Sequence, residues 1–321
     1  MTQAKNIPAL LKRRAQLNSD VRHFFAQRKV LEVQTPALSH TAPTAPYLDS
    51  FSTSFQQGSH QTSLYLHTSP EFAMKRLLAA GSGPIFQICP VFRNGEAGRL
   101  HSPEFTMLEW YRPGFALTDL MAEVDALLQL LLSTAPARQL TYQQAFHDGL
   151  SIDVFACDTE TLRQLALTNI PGLTPDWQSS RDGWLELLMS EVIEPTFKAC
   201  ETPVMVYDFP ASQAQLAKTY QNNDGVEVAA RFEVYAGGLE LANGYDELLD
   251  ADLLAARFAE DNWQRQQQGL PVMPVDQQLL SAMQAGLPDC SGVALGLDRL
   301  LMLMSDSNQL ADISPIPFNE A

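Results

Sequence analysis

The sequence has few cysteines and no long apolar run. Its four cysteines are far apart and form no C-x-x-C pair, which argues against a disulfide framework or a zinc site and predicts reduced thiols. No stretch approaches the roughly 18 uninterrupted apolar residues of a membrane span. The first residues lack the apolar core of an export signal. The sequence therefore predicts a cytoplasmic protein with no membrane partner. The cysteines are Cys89, Cys157, Cys200 and Cys290.

Basic side chains are also scarce. The 321 residues include 21 lysines and arginines against 37 aspartates and glutamates, which gives a formal net charge of -16. Binding to nucleic acid phosphates depends on lysine and arginine, so this charge argues against tRNA as a partner, although it leaves room for a local basic patch. The composition, 45% hydrophobic and 18% charged, is typical of a globular protein with a large core.

Hydrophobic periodicity predicts an α+β fold. An apolar stripe at three- and four-residue intervals, which includes Leu17, Val21 and Phe24, predicts an N-terminal helix. Residues 37–63 are polar and are predicted to form a loop. Further helices are predicted at residues 118–132, 184–192 and 252–268, and a last one from residue 298. Strands are predicted at residues 30–36, 83–93, 103–111, 203–209, 226–247 and 291–297. This order favours one domain over residues 1–321 with an antiparallel sheet flanked by helices.

An arginine lies where a predicted strand opens into a polar loop. Arg93 ends the strand, and residues 94–102 form the loop before the returning strand. A guanidinium group binds phosphate oxygens through two parallel hydrogen bonds, so Arg93 is a candidate for binding an anion. Arginines at strand ends also form structural salt bridges. This segment by itself leaves both interpretations open.

A second candidate arginine follows a predicted strand that contains two glycines on the same face. Gly292 and Gly296 would let a flat ligand approach the backbone. Arg299 lies in the first turn of the next helix, where the helix macrodipole disfavours a positive charge. A ligand explains this arginine better than helix stability does. An edge strand with glycines and no ligand is the alternative.

Two glutamates provide a candidate cation site. Glu240 and Glu247 are seven residues apart and are predicted to lie on either side of a turn, from which both carboxylates could converge on Mg²⁺. Mg²⁺ beside two phosphate-binding arginines is typical of a nucleotide site. In a chain of this net charge, a solvated acidic face is the alternative.

Together these segments resemble the class II aminoacyl-tRNA synthetases. Residues 24–36 are similar to motif 1, the dimer-forming helix and strand. Residues 92–110 are similar to motif 2 and residues 292–304 to motif 3. The resemblance extends over residues 10–304 and implies the catalytic core of that class, use of ATP with Mg²⁺, and a homodimer.

Within the class, three phrases resemble the lysyl-tRNA synthetase branch. These are HTSPE at residues 67–71, HSPEFTMLE at residues 101–109 and RFE at residues 231–233. The branch implies that lysine, or an isomer of lysine, is activated as its adenylate.

The resemblance also implies roles for individual residues. Arg93 would contact the ATP α-phosphate and Arg299 the distal phosphates, both acting in catalysis. Glu240 and Glu247 would hold Mg²⁺ or orient the substrates. The other implied ATP-binding residues are Asn94, Gly95, Glu96, His101, Ser102, Phe105, Leu241 and Gly296, with His101 and Phe105 bracketing the adenine. The implied amino-acid pocket comprises Ser69, Pro70, Glu71, Tyr111, Glu247 and Ala294.

Three positions depart from the lysyl branch. Gly95 separates Asn94 from Glu96, whereas lysyl synthetases usually have the glutamate directly after the asparagine. Ser102 replaces the usual asparagine before proline. Ala294 stands where these synthetases normally have glycine. The first departure leaves open which loop residue contacts adenine.

The resemblance does not extend to one domain of the lysyl-tRNA synthetases. Lysyl-tRNA synthetases precede this core with an oligonucleotide-binding barrel that reads the anticodon. Here motif 1 begins almost at the N-terminus and only 17 residues follow Met304, so we expect no anticodon-binding domain. One branch with this plan attaches (R)-β-lysine to a lysine side chain of translation elongation factor P. Residues 108–113 and 207–213 resemble that branch, which implies this factor as the acceptor.

Ala294 fits the same branch as a hypothesis about specificity. An added methyl group near the α-amine would disfavour α-lysine while leaving room for an amine on the β carbon. One methyl group is typically worth about 1–3 kcal/mol, which gives a preference and not an absolute exclusion.

Three alternatives remain open. A minimal lysyl-tRNA synthetase that acts on tRNA is disfavoured by the missing barrel and the negative charge. An ammonia-using asparagine synthetase shares the core but not the lysyl-like phrases. A catalytically inactive paralogue that binds ATP or lysine would be expected to have lost an ATP-handling residue, yet Arg93, Arg299, Glu240 and Glu247 are all present.

Overall fold

The computed structural model describes residues 6–321, which divide into two compact units. One unit combines Met1–Phe115 with Glu247–Ala321, and the other is Ala116–Asp246. The expectation of one catalytic domain over residues 1–321, without an anticodon-binding domain, stays a prediction. Within residues 6–321, no helix has the length and apolar character that crossing a membrane requires.

The N-terminal helix forms as its periodicity predicts. The Asn6 side chain accepts a hydrogen bond from the Ala9 N–H at 3.2 Å and caps the first turn. The apolar stripe is buried, including Leu17 and Val21, because it faces the rest of its unit. The elements of this part of the chain are α1 Ile7–Gln27, β1 Leu31–Glu32, β2 Leu38–Ser39, β3 Ser52–Gln57, β4 His60–Leu66, α2 Glu71–Ala79, β5 Ile85–Phe92 and β6 Glu104–Pro113.

The prediction of a loop over residues 37–63 is wrong. Strands β3 and β4 pair antiparallel, and β2 pairs with the other edge of β4. All six residues of β3 are exposed, so no alternation of apolar residues indicated the strand. A two-residue connection joins β3 to β4, and Gly58 there has a φ of 61°, a backbone conformation that glycine adopts without a steric penalty.

The second unit contains five strands and an apolar core. Its strands lie in the order β11-β10-β8-β7, with β9 also paired to β10. The β7–β8 pair is parallel and the β8–β10, β9–β10 and β10–β11 pairs are antiparallel. Helices α4 to α6 pack on an apolar cluster that includes Tyr142, Trp184 and Phe209. The elements are α3 Leu117–Leu132, β7 Arg138–Thr141, α4 Tyr142–Leu150, α5 Thr159–Asn169, α6 Arg181–Leu188, β8 Val204–Pro210, β9 Thr219–Gln221, β10 Glu227–Ala236 and β11 Leu239–Asp246.

The C-terminal part of the chain completes the first unit. Strand β12 pairs antiparallel with β6, so that the strands of this unit lie in the order β1-β5-β6-β12. The strand–long loop–strand hairpin is confirmed, since β5 and β6 pair antiparallel from Ile85 with Tyr111 to Phe92 with Glu104. The elements are α7 Ala251–Gln267, α8 Gln277–Gly286, β12 Cys290–Gly296, α9 Leu297–Met304 and α10 Leu310–Ile313.

The α+β prediction is confirmed, with one correction to the sheet. Most strand pairs are antiparallel, but β1 pairs with β5 in parallel, as β7 does with β8. The chain between β1 and β5 includes α2, and parallel neighbours need such a long crossover. Short strands such as β1, which has two residues, give no pattern from which their direction could be predicted.

Candidate active site

The centre of the candidate site lies on β6, in the first unit. Successive side chains of a strand point to opposite faces, so Met107, Glu109 and Tyr111 share one face. The antiparallel register places Gln87 of β5 and Ala294 of β12 directly opposite Glu109. Gln87, Glu109 and Ala294 thus form one row across three strands, which we call the Glu109 row.

The Glu109 carboxyl group is buried and hydrogen-bonded. Only 2% of Glu109 is exposed. The Ser69 hydroxyl donates to Oε2 at 2.6 Å, and the Tyr111 hydroxyl donates to Oε1 at 2.7 Å. Burial and then the charge of Glu71 raise the pKa of Glu109 to about 8, although the two hydrogen bonds favour its charged form. Burial therefore favours the neutral form of Glu109 until a cation approaches it.

A buried ammonium group lies between two other carboxylates. Lys75 Nζ is 2.7 Å from Glu71 Oε1 and 2.6 Å from Glu247 Oε2, and 2% of the Lys75 side chain is exposed. Burial by itself would lower the pKa of Lys75, but the charges of Glu247 and Glu71 outweigh it and raise that pKa. Lys75 is therefore charged. Three carboxyl groups accompany one ammonium group here, so the electrostatics favour a ligand with positive charge.

Gly292 lets strand β12 pass close to the side chains of Tyr111 and Glu247. It lies opposite Tyr111 in the β6–β12 register. A Cβ atom built on Gly292 would lie 2.4 Å from the Tyr111 ring and 2.5 Å from Glu247 Oε1. No larger residue fits without moving one of these two side chains, which explains the glycine at this position.

The turn before α2 is held in place by hydrogen bonds. The Glu71 N–H donates to Ser69 Oγ at 3.0 Å, and Pro70 lies at the helix N-cap. The His67 ring nitrogen Nε2 lies 2.8 Å from the Pro90 carbonyl oxygen of β5. These contacts fix Ser69 and Glu71 beside Glu109. We refer to Ser69, Glu71, Lys75, Glu109, Tyr111, Glu247, Gly292 and Ala294 as the amino-acid pocket.

Arg93 is placed to bind an anion. Its guanidinium carbon lies 5.1 Å from the centre of the Phe105 ring, and its Nη1 is 3.8 Å from Glu96 Oε1. Its Nε atom is buried and has no hydrogen-bond partner among residues 6–321. The loop that follows begins with a hydrogen bond from the Asn94 N–H to the Asp49 carbonyl oxygen at 2.8 Å. Gly95, with a φ of 82°, then turns the chain.

The arginine of α9 is brought to the same loop. Arg299 Nη2 lies 2.9 Å from His101 Nε2. Burial and then the positive charge of Arg299 lower the pKa of His101, so the imidazole is neutral and accepts a hydrogen bond from the guanidinium group. Gly296, the N-cap of α9, lies opposite Met107 on β6. Ser102 is half-buried in the chain that enters β6.

Asp298 ties three elements of the first unit together. Its Oδ2 accepts a hydrogen bond from the Thr106 N–H at 2.7 Å, and its Oδ1 pairs with Arg14 of α1. Because Asp298 precedes Arg299, these contacts fix the first turn of α9 and hence the position of Arg299.

The second unit contains two of the predicted ATP-site residues, Glu240 and Leu241 of β11. The Glu240 N–H donates to Glu194 Oε1 at 3.2 Å, and Leu241 is buried. Strand β11 runs from Leu239 to Asp246, so Glu240 lies within the strand, Glu247 follows it, and no turn separates them. The prediction of a turn between them is wrong, and their role toward Mg²⁺ stays a prediction. In residues 6–321 there is no group of three or more His, Cys, Asp or Glu suited to a metal ion.

The comparison with known proteins decides the family. The family model described as tRNA synthetases class II (D, K and N) matches residues 1–320. The chain belongs to this class II tRNA synthetase family. The predicted catalytic core is thereby confirmed. Similar curated proteins include the "Elongation factor P--(R)-beta-lysine ligase" of Salmonella gallinarum (strain 287/91 / NCTC 13346) and that of Salmonella agona (strain SL483). Each is 51% identical over 314 residues, which cover 96% of this chain and 94% of the relative.

Sequence reasoning missed two members of this class II site. Glu109 and Lys75 were not among the predicted residues, yet each is nearly inaccessible and contacts a predicted one. A signal for both was present. Lys75 is four residues after Glu71, so both face the same side of α2. Glu109 is two residues before Tyr111, so both face the same side of β6. All four cysteines are free thiols, as predicted.

Proposed function

We propose that this chain is an ATP-dependent ligase that activates (R)-β-lysine as its adenylate and transfers it to a lysine side chain of translation elongation factor P. The observation that carries this proposal is the amino-acid pocket, in which Glu71 and Glu247 share the cation Lys75 and the charges of both act on the buried carboxyl group of Glu109. A diamino acid brings the positive charge that this arrangement lacks. The curated relatives, which carry the name of this activity, share about half of the residues along nearly the whole chain.

The buried position of Glu109 suits it to recognise an ammonium group. An opposite charge within about 4–6 Å stabilises a carboxylate, so the approach of an amine would ionise Glu109 where burial alone keeps it neutral. The Ser69 and Tyr111 hydroxyl groups already donate to its two oxygens and hold the carboxylate in one orientation. A substrate without an ammonium group at this point would leave Glu109 protonated and gain no ion pair.

For ATP, we propose Arg93 as the ligand of the α-phosphate and Arg299 as the ligand of the distal phosphates. The buried Nε of Arg93, which has no partner within residues 6–321, supports this assignment. A buried donor without an acceptor costs about 1–3 kcal/mol, and a phosphate oxygen would remove that penalty. His101 and Phe105 would bracket the adenine, close to Arg299 and Arg93 respectively. Gly95 gives the loop the sharp turn that such a contact needs.

We propose that Mg²⁺ accompanies ATP, as is typical of the class II family, and that Glu240 contributes a carboxylate to it. Mg²⁺ in nucleotide sites is held by one or two carboxylates plus the substrate phosphates, so a three-residue protein cluster is not required. Glu247 fits this role less well, because its Oε2 already pairs with Lys75. When bound, the ion would neutralise negative charge on the phosphates.

The reaction would proceed in two steps. The amino-acid carboxylate attacks the α-phosphorus of ATP, forming the acyl adenylate and releasing pyrophosphate, while Arg93 stabilises the charge that develops. The acceptor amine, after losing its proton, then attacks the adenylate carbonyl carbon, forming an amide and releasing AMP. The pocket contributes alignment by fixing the ammonium end of the substrate at Glu109.

We propose a homodimer formed through motif 1. Ile7 and Leu11 on α1 and Leu31 on β1 are large apolar side chains that are 45%, 55% and 58% exposed. Both elements of motif 1 therefore expose large apolar side chains that a partner chain could cover. Light scattering at working concentration should give twice the mass of one chain, and a clean monomer would contradict the proposal. Cytoplasmic localisation stays a prediction.

The decisive experiment is the intact mass of purified elongation factor P after incubation with this enzyme and ATP. Parallel reactions contain (R)-β-lysine or α-lysine, and total tRNA is offered as a competing acceptor. We expect one lysyl-sized addition to the protein, larger with the β isomer, and no charging of tRNA. Charged tRNA with an unmodified protein would show that the enzyme is a minimal synthetase instead, and no product with either acceptor would favour an inactive paralogue.

A further inference from the structure

The Glu109 row contains one polar group whose contacts within the protein are incomplete. Gln87 is 2% exposed, and its Oε1 atom has no hydrogen-bond partner among residues 6–321. A buried carbonyl oxygen without a donor is destabilising. A ligand that supplies the missing donor would explain why this oxygen is buried beside the substrate pocket.

The position of Gln87 in the sheet directs it to the same compartment as Glu109. The two residues are direct partners in the β5–β6 register, and partners across antiparallel strands project from the same face with Cβ atoms about 4.5–5.5 Å apart. The side-chain amide hydrogen-bonds the thiol of Cys89, two residues further along the same face. That contact uses the amide N–H of Gln87 and leaves its carbonyl oxygen for another donor.

We propose that Gln87 is a further substrate-binding residue, whose side-chain carbonyl oxygen accepts a hydrogen bond from an ammonium group of the bound lysine isomer. This rests on the proposed function. An ammonium group has three N–H donors and no acceptor. Glu109 and Gln87 together supply one ionic and one neutral acceptor for it. The Ala294 methyl group bounds the other side of Glu109 in the same row.

The test compares Gln87→Leu with the wild-type protein in ATP–pyrophosphate exchange. Leucine has a similar volume but cannot accept a hydrogen bond. We expect the KM for (R)-β-lysine to rise roughly 10- to 100-fold, the size of a hydrogen bond from a charged donor, with the KM for ATP unchanged. An unchanged KM for the amino acid would overturn the assignment.

Substrates that lack one amine identify the contact. The probes are 6-aminohexanoate, without the β-amine, and 3-aminohexanoate, without the terminal amine, and their binding is measured by calorimetry. With one of these probes, Gln87→Leu should leave the affinity unchanged, because that probe lacks the ammonium group that donates a hydrogen bond to Gln87. If the substitution weakens every probe by the same factor, Gln87 acts through packing and the proposal fails.

Two further variants separate binding from folding. Gln213→Leu removes another buried glutamine with an unpaired side-chain atom, in the second unit, and should leave the amino-acid KM unchanged. Gln87→Glu keeps an acceptor oxygen and should have a KM for the amino acid at or below the wild-type value. If Gln87→Leu does not fold, a raised amino-acid KM for Gln87→Glu overturns the proposal. Absence of exchange by the wild-type protein with either lysine isomer would instead contradict the proposed function itself.

Discussion

Substitution of Gly292 by alanine tests how tightly the amino-acid pocket is packed. The new Cβ atom would lie 2.4 Å from two atoms of the Tyr111 ring and 2.5 Å from Glu247 Oε1. Ordinary contacts between carbon atoms are about 3.5–4.0 Å long, so the ring or the carboxylate must move by about 1 Å. Both groups are buried and hydrogen-bonded or ion-paired, so either movement strains a contact within the pocket.

The expected magnitude follows from this overlap. Inserting a methyl group into a well-packed site costs about 1–3 kcal/mol, and each kcal/mol lowers Tm by about 2–4 °C in a protein of this size class. Displacement of Tyr111 also disturbs its hydrogen bond to Glu109. We therefore expect Gly292→Ala to raise the KM for the amino acid roughly 10-fold, as the loss of one hydrogen bond to a charged group predicts, with the KM for ATP little changed.

Calorimetry and ATP–pyrophosphate exchange measure the two effects. Gly98→Ala is the matched control for stability, because no heavy atom of the described residues lies within 4 Å of its added Cβ and its φ is not positive. That variant should keep the wild-type Tm. If Gly292→Ala also keeps the wild-type Tm and the wild-type KM for the amino acid, β12 does not pack tightly against Tyr111 and Glu247. That result would refute the prediction.

Three other substitutions test the electrostatics and the specificity of the pocket. Burial raises the pKa of Glu109 from 4.5 to about 8, so the contribution of Glu109 to stability is full below about pH 4.5 and is lost as the pH rises to about 8. In urea denaturation, Glu109→Gln should therefore lose less stability than the wild type between these two pH values. An equal loss in both proteins would contradict the raised pKa. Lys75→Met leaves the Glu71 and Glu247 carboxylates without their ammonium partner and should destabilise the protein by about 3–5 kcal/mol in denaturant; a stability equal to that of the wild type would show that the bridge contributes nothing. Ala294→Gly should raise the activity on α-lysine relative to (R)-β-lysine about 10-fold in kcat/KM, and unchanged selectivity would remove the role of the methyl group.

Much of the fold could be predicted because its signals are local. The stripe of α1, the β5–β6 hairpin and the glycine strand before α9 each depend on residues within about 30 positions of one another. The three ordered motifs then fixed the family. The exposed hairpin β3–β4 was missed because both faces of β3 are solvated, so that no apolar alternation marks it.

The site divides in the same way. The sequence by itself determined the candidate arginines. Arg299 stands in the first turn of a helix, where a positive charge is disfavoured. Arg93 at its strand end leaves a structural salt bridge open, and only its place in the ordered motifs indicates an anion. Tertiary structure alone decided that Lys75 bridges Glu71 to Glu247, a residue 172 positions further along the chain, and that Glu109 is shielded from water. Ion pairing and pKa depend on how much water and which charges surround a group, and these are set by segments that meet only after the chain has folded.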